Sequence, residues 1–567
     1  MSLVPVRPSV RRARALVPLL AVLALVLPLL AVSSATAQDA DAKILRSHQR
    51  FYPSLLDPHQ AGFLDDIAVL SLTYEGLTRL DENLDIVPAA AESWEFDEDG
   101  TELTFHLREG LTYADGSPLT AERFRDAALR TCDPLTAGLY QSILFPIVGC
   151  EALATSMEPA ADGTPVASPV SEDSLAADFG VEAPDDRTVV IRLREPAPYF
   201  VAVASLWVFY PAQAELIEAG GESWWLDPAN HVGNGPFVIE TMEEDQQITF
   251  RANEAYWGGR PVLDGIEYVY IPDSAIAIEA YRQDQVDMVN VDPSQIEAVE
   301  QDPALAEEFL QYRGANTFQI DFNLRQAPFD DKKVREAFAY AFDRETWCAE
   351  VLAGGCLPTT TWIPEGIPGH VEDDTYAFDP EKARQALAES NYGSAEALPP
   401  ITYTYVTDDP AEQIRSEWIA GQYRDVLGIE IELKGYDYAT WVSFYSSAED
   451  FPQMTPSGWG QDYPDPQNWL TIIYTCKAAN LAVNIGYCSE AFDALIARAD
   501  RELDPAKRTS LYEEAHRLLL ADAVVLITHN LTNQFLVKPT VTGFAPTASD
   551  SAFPGQWGSL LTLDVER

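Results

Sequence analysis

The strongest constraint on this chain is the alternation of helix-period and strand-period segments along its second half. In "DDKKVREAFAYAFDRETW", Val334, Phe338 and Phe342 recur at helical spacing, with Ala341 beside them. "FDPEKARQALAES" predicts a helix with Asp379 as N-cap and Pro380 at the first helical position. "ITYTYV" predicts a strand, "AEQIRSEWIAGQYRDVLG" a helix and "IEIEL" a strand. "SEAFDALIARADRELDPAKRTSLYEEAHRLLLAD" predicts two amphipathic helices split at Asp504-Pro505, and "AVVLITH" a final strand. Alternation of this kind implies α/β layers.

The first half carries different signals. "DDIAVLSLTYEGL" predicts a helix. "ESWEFDEDGTELTFHLREGLTYADG" predicts a β-hairpin turning at Asp99-Gly100, with Leu103, Phe105 and Leu107 on one face. "SPLTAERFRDAALRTC" predicts a helix with Thr120 as N-cap, and "RTVVIRLREP" a strand. Between them "EPAADGTPVASPVSEDSLAADFG" is small, polar and proline-bearing, as a loop insertion is. At 567 residues the chain exceeds a single core, so two or three domains are expected.

The N-terminus is a targeting segment. Arg7, Arg11, Arg12 and Arg14 precede the apolar run "ALVPLLAVLALVLPLLAV", and Ala35–Ala37 offers a small-residue cleavage site. Cleavage there removes four arginines and no acids, taking the net charge from −52 to −56. The alternative, an uncleaved anchor, needs a longer run without Pro18 and Pro28. Export suits the cysteines. Cys132 with Cys150, Cys348 with Cys356, and Cys476 with Cys488 form three sequence-local couples, expected as disulfides.

With 37 basic and 89 acidic residues, the chain has no basic face for phosphates, which excludes nucleic acid as a partner. There is no G-x-G-x-x-G, P-loop, H-E-x-x-H or G-x-S-x-G motif. The seven histidines show no metal spacing, and no cofactor or metal is expected.

One segment asks for a function. "SGWGQDYPDPQNWL" places Asp462 and Asp465 among Trp459, Tyr463 and Trp469, with Pro464 and Pro466 between. The prolines argue against a helix, and the polarity against a central strand. An aromatic loop of this kind plugs a core or lines a ligand cleft.

Four stretches together resemble the dipeptide/oligopeptide/nickel-binding family (family 5) of extracytoplasmic solute-binding proteins of ABC importers. They are "EGLTRLDENLDIVPAAAESWEFDEDGTELTFHLREGLTYADGSPLTAERF", "GNGPFVIE" followed by "NEAYWGGRP", "FQIDFNLRQAPFDDKKVREAFAYAFDR", and the aromatic loop itself. One departure is Asn234, where the family has Thr or Ser between the glycines. The resemblance implies a two-lobed periplasmic-binding-protein-like fold of the large cluster, with an extra subdomain, mixed sheets, flanking helices and two hinge crossings. It implies a signal peptide over 1–37. The first lobe would be 38–80 with 230–312 and 528–567, its subdomain 81–229, and the second lobe 313–527. Crossings are expected near "YRGANT" and "THNLTN".

The same resemblance implies a non-catalytic, exported receptor, periplasmic or extracellular, that works as a monomer. It would capture a peptide or other small amine-bearing solute between its lobes and deliver it to a membrane permease. In peptide-binding members the aspartate of a W-x-x-D pattern holds the ligand's α-amino group; here that is Trp459 and Asp462, with Tyr463 as a further apolar wall. The facing wall is expected from "LDPHQAGFLDD", with Gly62 admitting the ligand and Phe63 covering it. Dipeptide binders carry an arginine after the strand matching "ITYTYV"; this chain has "TDDPAEQ" there, which weighs against a standard dipeptide. Two other readings stand beside this one. They are a secreted hydrolase, such as a glycosidase, using paired carboxylates, and a receptor for a nickel-type metal chelate.

Overall fold

A computed structural model describes residues 42–159, 165–167, 178–476 and 481–566. The predicted signal peptide and most of the polar insertion lie outside the described residues. Within that insertion, Met157–Pro159 and Pro165–Ala167 pair antiparallel.

The frame is a ten-stranded mixed sheet. Its order is Phe237–Glu243, Gln247–Ala252, Gly265–Tyr270, Ile44–Gln49, Met288–Asn290, Val525–Val537, Asn316–Phe322 and Met454–Gly460. Phe309–Arg313 and Cys356–Pro358 also pair with Val525–Val537. That strand, 13 residues long and rich in β-branched and apolar side chains, is the spine. Its C-terminal part pairs with Met288–Asn290 and Phe309–Arg313, and its N-terminal part with Asn316–Phe322 and Cys356–Pro358. "THNLTN" lies inside this unbroken strand, where its pairing passes from one set of partners to the other. At "YRGANT" the chain interrupts its pairing only at Gly314 and Ala315, between Phe309–Arg313 and Asn316–Phe322. The polar residues of the spine are bonded where they are buried: Asn530 donates to the Asn316 carbonyl at 2.7 Å and to Thr317 Oγ1 at 2.9 Å.

Separate cores flank this frame. The predicted hairpin forms, Ala91–Phe96 with Glu102–Leu107, inside a four-stranded antiparallel sheet completed by Thr188–Arg192 and Val181–Asp185. Leu103, Phe105 and Leu107 enter its core with Phe124 of helix Ala121–Cys132. Thr120 sits at the N-cap of that helix, but its side chain makes no capping bond. A second core joins helices Lys332–Ala341, Pro380–Glu389 and Pro410–Leu427 to strand Ile401–Val406. A third gathers Pro466–Tyr474, Glu490–Ala499 and Pro505–Ala521 around Trp362. Four of these helices start alike. Asp379, Asp409, Asp465 and Asp504 each cap the helix, and a proline follows at its start. Each cap is worth about 1 kcal/mol, so part of the acidity is helix punctuation.

Two further relations explain sequence motifs. In "GNGPF", methyl groups at Gly233 and Gly235 would run into the Thr73 backbone at 1.8 and 2.6 Å, so only glycine fits. Asn234 between them exchanges hydrogen bonds with the Glu75 backbone at 3.1 and 3.0 Å, a role open to a short amide. The disulfides are Cys132–Cys150, Cys348–Cys356 and Cys476–Cys488, the three expected couples.

The aromatic segment departs from its expectation as an irregular loop. Ser457–Gly460 closes the edge strand Met454–Gly460, and Pro466 opens helix Pro466–Tyr474. A proline at a helix start removes only a donor that would be unpaired anyway, so it starts the helix instead of breaking it. The true connection is Gln461–Asp465.

Candidate functional site

That connection borders a cavity of about 790 Å³. One wall is sheet and helix: Gln319, Ser457, Gly458 and Trp459 from adjacent strands, with Asp462, Thr471, Ile472 and Tyr445. The facing wall comes from Leu139, Tyr140, Ser142, Ile143 and Phe145, distant in sequence.

Asp462 is the charged centre. Asn468, fully buried at the start of the following helix, brackets it. Its Nδ2 donates to Asp462 Oδ2 at 2.8 Å, and its Oδ1 accepts from the Asp462 backbone N–H at 3.0 Å. The same Oδ1 accepts from Trp459 Nε1 at 3.2 Å, so one amide fixes both the carboxylate and the indole. From the opposite wall, the Tyr140 hydroxyl donates to Asp462 Oδ1 at 3.0 Å. Tyr140 is itself held edge-on against Trp207, with ring centroids 4.8 Å apart.

Among the described residues no cation forms an ion pair with Asp462. Burial pushes its carboxyl up to about 6, with the Asn468 and Tyr140 hydrogen bonds pulling the other way. A carboxylate held this way, desolvated and lacking a counter-charge, favours an arriving cation. The indole of Trp459 supplies an apolar neighbour.

Asp465 has a different task. It caps helix Pro466–Tyr474 through Gln467 N at 2.9 Å and receives both Arg508 terminal nitrogens at 2.7 Å. The two acids of the segment are thus divided between a cavity and a scaffold.

Other expected site residues lie elsewhere. Tyr463, read as a ligand wall, does not line the cavity. It is 1% exposed, packs in the core of the hairpin subassembly, and donates its hydroxyl to Gln467 Oε1. The chain bends through this connection, with the Asp465 N–H donating to the Tyr463 carbonyl at 2.8 Å, and the neighbours part: Asp462 borders the cavity and Tyr463 enters the core. Phe63 is 61% exposed at the N-cap of helix Leu64–Thr73, and neither it nor Gly62 lines the cavity. Gly62 instead lies against Leu139, where a methyl group would come within 2.7 Å of Cδ1. It thereby admits a wall residue, not a ligand. In "TDDPAEQ", Asp409 caps its helix and Asp408 accepts from Tyr438 N at 2.6 Å. Sequence reasoning missed Tyr140, Asn468 and Gln319. Only Asn468, six residues after Asp462, carried a local signal. No group of metal-ligating side chains able to hold an ion occurs among the described residues.

Comparison with known proteins identifies the family. The family model for bacterial extracellular solute-binding proteins, family 5 Middle, matches residues 85–480. The chain is 30% identical over 519 residues to a probable deoxycholate-binding periplasmic protein, YgiS, of Escherichia coli strain K12, covering 89% of this chain and 91% of that protein. It is 28% identical to the periplasmic oligopeptide-binding protein OppA of Salmonella typhimurium, covering 91% and 93%. The fold matches the unliganded open form of the periplasmic murein tripeptide-binding protein MppA, with TM-score 0.76, 24% identity and coverage of 93% and 98%. It also matches Haemophilus influenzae OppA in complex with the peptide RPPGFSPFR, with TM-score 0.70, 24% identity and coverage of 93% and 99%. The chain belongs to family 5 of the bacterial extracellular solute-binding proteins.

Proposed function

We propose that this protein captures a peptide-like or other ammonium-bearing solute in the Asp462 cavity and delivers it to an ABC permease, without chemical change to the solute. The observation that carries the reading is the buried Asp462 carboxylate, held by Asn468 and Tyr140 from two walls and paired with no cation among the described residues. An ammonium group entering there gains a charge-assisted hydrogen bond of about 1.5–3 kcal/mol. Trp459 lends apolar surface beside it and, over its ring face, an attraction for a cation.

The relatives' names divide between oligopeptides and deoxycholate. An anionic steroid acid would meet Asp462 as a like charge, so the peptide-like reading fits this cavity better. Closure over the solute would be a hinge motion biased by contacts with both walls, and the chain would act as an exported monomer. No described helix is long and apolar enough to cross a membrane.

Calorimetric titration with the tripeptide Ala-Phe-Ala and its N-acetylated form tests the reading. Acetylation removes the charge and should weaken binding by at least about tenfold. Equal affinities would refute Asp462 as an ammonium anchor.

A further inference from the structure

A second acid lies beneath the same cavity. Asp321 is 0% exposed and sits in the central strand Asn316–Phe322, between Thr455 on one neighbouring strand and Val525 on the other. Gln319 is two residues away on the same face of that strand and lines the cavity beside its cross-strand partner Ser457.

Every polar atom of the Gln319 amide is engaged. Its Nε2 donates to Asp321 Oδ1 at 2.6 Å and to Ser457 Oγ at 3.2 Å. Its Oε1 accepts from the Tyr474 hydroxyl at 2.9 Å. On the other side, the Tyr445 hydroxyl donates to Asp321 Oδ2 at 3.1 Å. Gln319, Ser457 and Tyr445 all line the cavity, whereas Asp321 does not reach it.

We propose that Asp321 is a positioning residue for ligand capture, fixing from beneath the wall the Gln319 amide and the Tyr445 phenol that a bound solute meets. This rests on the reading of the cavity as the solute site. The carboxylate accepts from both groups at once; protonation puts a donor on one oxygen, opposite a group that donates to it, and weakens that hold.

The titratable groups facing Asp321 are phenols: Tyr445 from helix Tyr438–Tyr445, Tyr474 from helix Pro466–Tyr474 and Tyr403 from strand Ile401–Val406. No cation forms an ion pair with it among the described residues. Burial raises its carboxyl to about 7, against the Ser457, Tyr445 and Gln319 hydrogen bonds. Solute affinity should therefore rise as pH passes upward through about 7, separately from the step at about 6 that belongs to Asp462.

The test is calorimetry with Ala-Phe-Ala on the full mature chain and its Asp321→Ala, Asp321→Asn and Asp462→Asn variants, from about pH 5 to about pH 8.5. Asp321→Ala should weaken binding by about tenfold or more. Asp321→Asn, which like the protonated acid sets one acceptor and one donor in place of two acceptors, should bind as weakly as wild type does below the upper step, and should lose that step while retaining the lower one. Should Asp321→Ala unfold, the Asn variant alone decides. An Asn variant with an unaltered two-step profile overturns the proposal, as does an Ala variant of undiminished affinity. If Asp462→Asn weakens binding while Asp321 variants do not, only this inference fails. If wild type does not bind Ala-Phe-Ala, or Asp462→Asn binds it undiminished, the cavity reading fails and takes this one with it.

Discussion

The Tyr140 hydroxyl donates a 3.0 Å hydrogen bond to Asp462 across 322 residues of sequence. One residue belongs to the hairpin subassembly's side of the cavity and the other to the turn after the edge strand. Their contact ties the two walls together at the buried carboxylate of the cavity, whereas the other carboxylate that lines it, Glu151, is paired with Arg194; it makes the proton affinity of Asp462 an observable of the site.

Binding of an ammonium-bearing peptide should weaken in acid. The ligand prefers ionised Asp462, whose carboxyl sits at about 6, so protons compete below that value. Affinity should fall by about tenfold per pH unit once the acid is mostly protonated. The sign for folding is opposite to that of a salt-bridged acid. Burial raises this group above its unfolded value, so its contribution to stability declines as pH rises from about 4 to about 6. Titration calorimetry across this range reads the first effect and thermal unfolding the second.

Tyr140→Phe should raise the midpoint of that acid step. The lost phenol donor favours the ionised form by about 1.4 kcal/mol, or about one pH unit. Trp207 packing against the ring is retained, so unfolding temperature should change little. The shift is measured by the same titration series.

Asp465 should behave differently from Asp462. Its side chain and that of Arg508 are each 13% exposed, and they pair through two bonds. Arg508→Met leaves an uncompensated buried acid and should destabilise by about 3–5 kcal/mol. Denaturant unfolding measures this. Peptide affinity of the folded fraction should stay within about threefold of wild type.

Salt should stabilise the chain. At −52 the surface repels itself, and raising sodium chloride from about 0.1 M to about 1 M shortens the screening length from about 10 Å to about 3 Å. The thermal midpoint should rise by at least about 3 °C. A falling midpoint would mean that the surface ion pairs outweigh the excess of like charge.

Local chemistry made much of the fold legible in advance. Asp-Pro pairs mark helix starts because cap and first position have fixed requirements, as at Asp379-Pro380 and Asp504-Pro505. The cysteine couples, separated by 18, 8 and 12 residues, close short loops that the chain can hardly avoid. The site was legible only on its contiguous side. Trp459 and Asp462 stand in one short segment, but Tyr140 and Gln319 reach the cavity through tertiary packing, which leaves no periodic trace. Tyr463 enters the core instead of the cavity, and adjacency in sequence does not tell which side of a bend a ring takes. Pro466 was misjudged because the same residue that breaks a helix from within begins one at its end.

The most direct measurement is the affinity of Ala-Phe-Ala for wild type and Asp462→Asn at about pH 7.5, with unfolding temperatures recorded on the same samples. The neutral amide keeps the shape of the side chain but cannot attract an ammonium group. A loss of at least about tenfold with an unfolding temperature equal to or above wild type is the expected result. Undiminished affinity in the variant would contradict the account.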